Sequence, residues 1–241
     1  MSVPPTPTLL LAVHGTRDPE GARTARALAR ATAAASGAPV RLAFADVLEP
    51  DVGQVAAGVE GPLVVVPAFL ASGYHVRVDI PEQLARAGRA EVPVAPALGA
   101  DRRLVAAAAA RLARAGHRAG EPVVLAGAGS SDRRALGEVE RAARMLSPMV
   151  GAPVVTGYAA TAAPTVAEAV AALRARGAAR VAVASWLLAP GLFQARLSEA
   201  GADTVAGPLC PHPAVARVLA DRYARTLSTA QERPLAASAM R

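Results

Sequence analysis

The sequence has 241 residues, 53% hydrophobic and only 3% aromatic, with a formal charge of +7, enough for one large α/β domain or two small ones. No apolar run reaches the roughly 18 residues needed to cross a bilayer, and Met1 to Thr8 shows neither the basic stretch nor the small-residue cleavage site of a secretory leader. A lone cysteine, Cys210, excludes an intramolecular disulfide, so a soluble cytoplasmic protein is expected.

Thr8 to Val13 reads as a buried strand, followed by the turn His14-Gly15-Thr16-Arg17-Asp18 and a helix from about Pro19 to Ser36 that Gly37 stops. A second strand covers Val40 to Ala45, and a short helix lies near Asp51 to Gly58. The run Leu63 to Val66 is continuous and mostly β-branched, the pattern of a parallel strand covered on both faces. Beyond it come a helix near Pro81 to Ala90, a strand at Val92 to Ala95 and a long helix from Asp101 to Ala115. This alternation predicts an α/β fold with an open, mostly parallel, doubly wound sheet.

The second half repeats the first. Leu125 to Asp132 matches Leu11 to Asp18, and Tyr158 to Pro164 matches Phe44 to Pro50, both at an offset of 114. Val181 to Leu197 matches Leu63 to Asp79 at 118, and Val205 to Leu227 matches Val94 to Gly116 at 111. Four blocks in one order predict a tandem duplication. Gly116, Gly120 and Pro122 mark the boundary, giving lobes of 1–117 and 121–241. The tail from Ser228 is expected to be loosely ordered.

Chemistry-bearing residues sit where open α/β folds place their ligands, past the carboxyl ends of strands. His14 follows the first strand directly, and Gly15 allows a ligand to approach the backbone. His75 lies in Gly73-Tyr74-His75-Val76-Arg77-Val78-Asp79-Ile80-Pro81, beyond the third strand, where Asp79 reads as a cap for the helix starting near Pro81. Asp46, with Glu49 as the nearby alternative, ends the second strand and is a candidate ligand, histidine partner or proton acceptor. Neutral imidazole suits a borderline divalent metal and can equally take a proton.

The duplication sharpens this choice. His14 becomes Ala128, Asp46 becomes Ala160 and His75 becomes Phe193, while Gly15 and Gly73 persist as Gly129 and Gly191. Scaffold is kept and each polar group is replaced by an inert one, so the three act as one site. His117, in the interlobe linker, and His212, between two prolines, read as surface residues, and Cys210 as packing. Every basic residue is arginine. They are scattered singly, without interleaved aromatics, which argues against nucleic acid and for a small polycarboxylate partner. Neither a P-loop nor a dinucleotide fingerprint is present.

On Val13 to Arg17, Phe44 to Pro50, Val66 to Leu70 with Gly73, His75 and Asp79-Ile80-Pro81, and Ala97-Leu98-Gly99, the chain resembles the CbiX/SirB family of sirohydrochlorin chelatases, a branch of the class II chelatases. It is similar to the long, two-lobed form. The resemblance implies ATP-independent insertion of Fe²⁺ (siroheme route) or Co²⁺ (cobalamin route) into sirohydrochlorin, with no cofactor beyond the substrate metal. The family histidines fall on His14 and His75. Members often carry glutamate where this chain has the shorter Asp46. The resemblance further implies a monomer with a cleft between lobes, in which Arg17, Arg77, Arg102 or Arg103 pair with substrate carboxylates. Gly73 would border the ring and Phe193 would shape the opposite wall. A non-catalytic carrier of tetrapyrrole or metal is the alternative.

Overall fold

The computed structural model describes the backbone of residues 6–238 and the side chains of residues 6–230. Strands β1 (Thr8–Val13), β2 (Val40–Phe44) and β3 (Leu63–Pro67) form one parallel sheet in the order β2-β1-β3. In register, Val13 pairs with Phe44 and Ala12 with Pro67, so the carboxyl ends of all three strands finish together. Strands β4 (Val123–Gly127), β5 (Val154–Tyr158), β6 (Ala182–Ser185) and β7 (Thr204–Val205) form a second parallel sheet, β5-β4-β6-β7. Val92 to Ala95, read as a strand, makes only a single bridge, Val65 to Val94. Pro93 of this segment and Pro67 of β3 lack the N–H donors that the next bonds of the ladder would need.

Helix α1 (Pro19–Ser36) starts where the Asp18 carboxylate accepts the Glu20 amide and ends at Gly37, whose φ of 67° suits glycine. Helices α2 (Val52–Ala57), α3 (Ile80–Arg86) and α4 (Arg102–Arg114) complete the first half. A π-helical turn, His75–Asp79, leads directly into α3. The second half holds α5 (Arg133–Val150), α6 (Val166–Ala175), α7 (Leu192–Ser198) and α8 (Pro213–Ser238). Helix α8 carries the chain to Ser238, so the expectation of a loose tail is corrected for 228–238; residues 239–241 lie outside the described part.

The strand alternation sorts the core into layers. Leu10, Ala12 and Val65 face one way and pack with Val52, Ile80 and Leu84 of α2 and α3. Val124, Ala126 and Val183 pack in the same manner with Val170 of α6 and Leu197 of α7. The opposite faces, Leu9, Leu11 and Val64 of the first sheet and Val123, Leu125 and Ala184 of the second, join one continuous core with residues of α1, α4, α5 and α8. Within that central layer the last helix of each repeat crosses to the other half. Helix α4 packs on α5 and β6, and α8 packs on α1 and β3. Polar ties follow the exchange: Arg222 donates to the Leu98 carbonyl, Tyr223 to that of Pro7, and Arg111 to that of Leu209.

The repeat is visible in the hydrogen bonds themselves. Asp46 N–H donates to His14 O, and Ala160 N–H to Ala128 O, both at 3.0 Å. Leu98 N–H donates to Phe69 O, and Leu209 N–H to Leu187 O, both at 2.8 Å. These pairs carry the offsets of 114, 111 and 118 read from the sequence. Asp51 with Gln54 and Thr165 with Glu168 form equivalent capping boxes on α2 and α6.

Candidate active site

His14 leaves β1 directly, and Gly15 turns the chain back with a φ of 94°. The turn presses against the β2 loop so closely that a Cβ on Gly15 would sit 2.2 Å from the Asp46 carbonyl oxygen. Gln83, almost fully buried, fixes the same loop from below: its amide donates to Ala45 O at 2.8 Å and accepts from Val52 N at 2.9 Å. His75 arrives from β3 through Ala68 to Tyr74 and opens the π-helical turn.

These three loops bring His14, Asp46 and His75 together, with one ligand atom from each inside a 4.8 Å span. The two imidazoles stand edge to face with centroids 4.6 Å apart, and Phe69 lies 6.3 and 5.9 Å from them. Tetrahedral ligands on one divalent ion at roughly 2.0–2.2 Å stand about 3.3–3.6 Å apart, so closure by about 1 Å would let all three reach one ion. Glu49 falls outside this grouping among the described residues.

Hydrogen bonds set the ring protons. His14 Nδ1 meets the Gly15 carbonyl at 3.1 Å, which can only accept, so Nδ1 carries the proton and Nε2 keeps its lone pair. His75 Nδ1 meets Asp79 Oδ2 at 2.5 Å, an acceptor too, so there also Nδ1 carries a proton. Burial, reinforced by the neighbouring His75, holds His14 below the ordinary imidazole range, while the Gly15 carbonyl, Asp46 and Asp79 pull the other way. A buried imidazole that resists protonation stays available as a ligand at neutral pH. The Asp46 carboxylate is exposed and also accepts from Val47 N at 2.7 Å.

Both histidines open onto a cleft of about 720 Å³ between the halves of the molecule. The walls are mostly apolar. His14, Arg17, Gly73 and His75 line one side, and Trp186 and Phe193 the other. Small residues let the two sides meet: a Cβ on Gly73 would touch Ser130 Oγ at 3.4 Å, and one on Gly191 would lie 2.9 Å from Thr16 Oγ1. Arg17 is the one arginine among the described residues that lines the cleft. Arg77 is not brought into it. Its Nε donates to Ser72 O at 3.1 Å and pairs with Asp132 across the lobes at 3.4 Å. Arg103 is likewise occupied, by Asp101 and Asp221, and Arg102 is absent from the lining.

His117 is tied to the Glu121 carbonyl, His212 accepts from Ala214 N, and neither borders the cleft. Cys210 does border it, but burial pushes its thiol up to about 12, which leaves it an unreactive packing group. Two features escaped the sequence reading. Asp79 serves His75 and makes no side-chain cap for α3, a role hinted at by its four-residue spacing from the histidine. Trp186, only 2% exposed, forms part of the far wall with its indole N–H unpartnered in the structure; no local pattern marks it.

A sequence model of the CbiX family matches residues 8–115 and again residues 122–226. No curated protein matches the chain. Among solved structures, SirB from Bacillus subtilis with Fe³⁺ is 23% identical, with a TM-score of 0.76, covering 94% of this chain and 98% of that one. The sirohydrochlorin chelatase SirB from Bacillus subtilis subspecies spizizenii, in complex with cobalt, is 23% identical with a TM-score of 0.74, covering 92% and 95%. CbiX, described as the terminal enzyme of siroheme biosynthesis in denitrifying bacteria, is 24% identical at 0.69, covering 91% and 98%. The chain shares the two-lobed parallel-sheet fold of these proteins along nearly its whole length.

Proposed function

The chain belongs to the CbiX family, and from that premise we propose that it inserts a divalent metal, Fe²⁺ or Co²⁺, into a sirohydrochlorin-type tetrapyrrole without ATP. The observation that carries this reading is the pair of Nδ1-protonated imidazoles, 4.6 Å apart beside a carboxylate, at the edge of a roughly 720 Å³ apolar cleft. The names of the SirB and CbiX structures point the same way.

The macrocycle enters between the lobes, its flat apolar ring against Phe193 and Trp186 on one side and the histidine loops on the other. Its carboxylates project toward the cleft mouth, where Arg17 pairs with one of them. His14, His75 and Asp46 hold the incoming ion through the two Nε2 lone pairs and a carboxylate oxygen. Apolar walls exclude water, so the ion exchanges its remaining waters for pyrrole nitrogens. As M²⁺ passes to the ring, two pyrrole N–H bonds break. In this reading the vacated Nε2 atoms accept those two protons, one each, which balances the charge. His14, made a poor base by burial, then returns its proton to solvent readily at neutral pH.

The test is an anaerobic absorbance assay with sirohydrochlorin and either Fe²⁺ or Co²⁺. Wild-type protein should give many turnovers, and His14→Ala and His75→Ala should each lose turnover while keeping the fold. Metal consumption that stops at one equivalent would replace the enzyme by a carrier.

A further inference from the structure

We propose that Asp79 is a positioning residue: it holds His75 in one orientation and one tautomer, so that the unprotonated Nε2 faces the cleft. The contact is direct, Nδ1 to Oδ2 at 2.5 Å, between side chains that are 28% and 22% exposed. A carboxylate oxygen can only accept here, so the proton stays on Nδ1. A histidine side chain free in water favours the opposite tautomer, with the proton on Nε2, where it would block the ligand position. Carboxylates behind ligating histidines act in this way in metal sites generally.

Three further observations separate this role from helix capping. Asp79 has helical backbone angles and makes no side-chain bond to any α3 amide. The Ile80 amide is already satisfied by the His75 carbonyl, the i to i+5 bond of the π-helical turn. Among the described residues, the only ion-pair partner of Asp79 is His75, because Arg77 of the same turn is directed to Ser72 and Asp132.

The second repeat provides the comparison. There His75 is matched by Phe193 and Asp79 by Leu197, which is fully buried. The loop enters regular α7 at Leu192, without a π-helical turn. The glycine before it persists, and so does the backbone bond that follows: Arg77 N–H to Gly73 O at 3.1 Å in one repeat, Ala195 N–H to Gly191 O at 3.0 Å in the other. The widened turn, the histidine and the aspartate are therefore found together in one lobe and absent together in the other. π-Turns inside helices recur at functional sites because they re-aim side chains that a regular turn would misplace.

The inference rests on the reading of His75 as a metal-binding group, and the experiment separates the two. Nitrogen-15 spectra of the histidine rings in the full-length protein, taken without metal at about pH 8 where imidazole is neutral, report the tautomer of His75. Wild type should show Nδ1–H alone. Asp79→Ala should move His75 toward Nε2–H and lower Co²⁺ affinity, measured with the metal alone, by about 10- to 100-fold. Asp79→Asn keeps the shape and can either accept from or donate to Nδ1, so it should give a mixture of tautomers and a smaller loss, and it serves as the decisive variant if the alanine variant does not fold. A single Nδ1–H tautomer, with Co²⁺ affinity within twofold of wild type, in whichever variants fold would overturn the proposal. Tautomer shifts in a wild-type background that shows no chelatase turnover would instead leave Asp79 in place and refute the enzyme reading.

Discussion

Replacing Gly15 by alanine tests whether the site depends on the β1 turn, and the duplication supplies its own control in Gly129→Ala. The two glycines have φ values of 94° and 98°, where an L side chain is strained by about 1–3 kcal/mol. Their added methyl groups would meet carbonyl oxygens at 2.2 Å (Asp46) and 1.8 Å (Ala160). Carbon–oxygen contacts normally sit at about 3.3 Å or more, so each loop must retreat by about 1 Å or more. With the clash added, each variant should lose about 2–4 kcal/mol. For a chain of this length that lowers Tm by about 5–15 °C. Only Gly15→Ala moves chemistry, since Asp46 and His14 sit on the displaced loops. A misplacement of about 1 Å costs on the order of 10²-fold in rate. Chelatase turnover and thermal melting should therefore dissociate: similar losses of Tm, with a rate loss about 10²-fold in Gly15→Ala and within a few-fold in Gly129→Ala. Equal rate losses in the two variants would refute the assignment of chemistry to the first lobe.

Further outcomes follow from the same geometry. Because burial lowers the pKa of His14 in the folded state, the unfolded chain binds more protons below the ordinary value of about 6.5, so the native protein loses stability as pH falls through that value; melting curves between about pH 7 and 5 should fall more steeply for the metal-free wild type than for His14→Asn, and equal slopes would contradict it. Gln83→Leu strands the Ala45 carbonyl and the Val52 amide, at a cost of about 2–4 kcal/mol, readable as a lower denaturant midpoint. Arg17→Ala should raise the KM for sirohydrochlorin several-fold, whereas Arg103→Ala, whose side chain is held by Asp101 and Asp221, should leave KM unchanged; the reverse order would place the carboxylate contacts elsewhere.

Much of the fold was legible because it is written locally. The β1 and β3 runs, the Gly37 stop of α1 and the paired turn glycines each follow from one segment's own pattern, and the offsets between repeats reappear as hydrogen bonds. The convergence of the candidate site residues was legible for a related reason. Parallel strands deliver their carboxyl ends to one edge, so residues after β1, β2 and β3 had to converge. What stayed hidden depends on contacts between distant segments. The apolar stripe of α4 fits either sheet, and nothing in Arg102 to Arg114 announces that it covers the second. Arg77 reads as a free cation until Asp132 is brought beside it. Asp79 sits where a capping residue would, and only the π-helical turn turns its carboxylate to His75.

The crossed-over terminal helices make each repeat a debtor to the other. Without α8 the first sheet would expose part of its inner face, and without α4 so would the second. A nick in the loop between Ala115 and Pro122 would leave two fragments that fold only as a pair, with a concentration-dependent stability. Joined in one chain, the same exchange is intramolecular, at an effective concentration in the millimolar range for a short tether. The intact protein should therefore melt in a single step that is indifferent to dilution, and a lobe without counterparts of His14 and His75 remains indispensable as the other's cover.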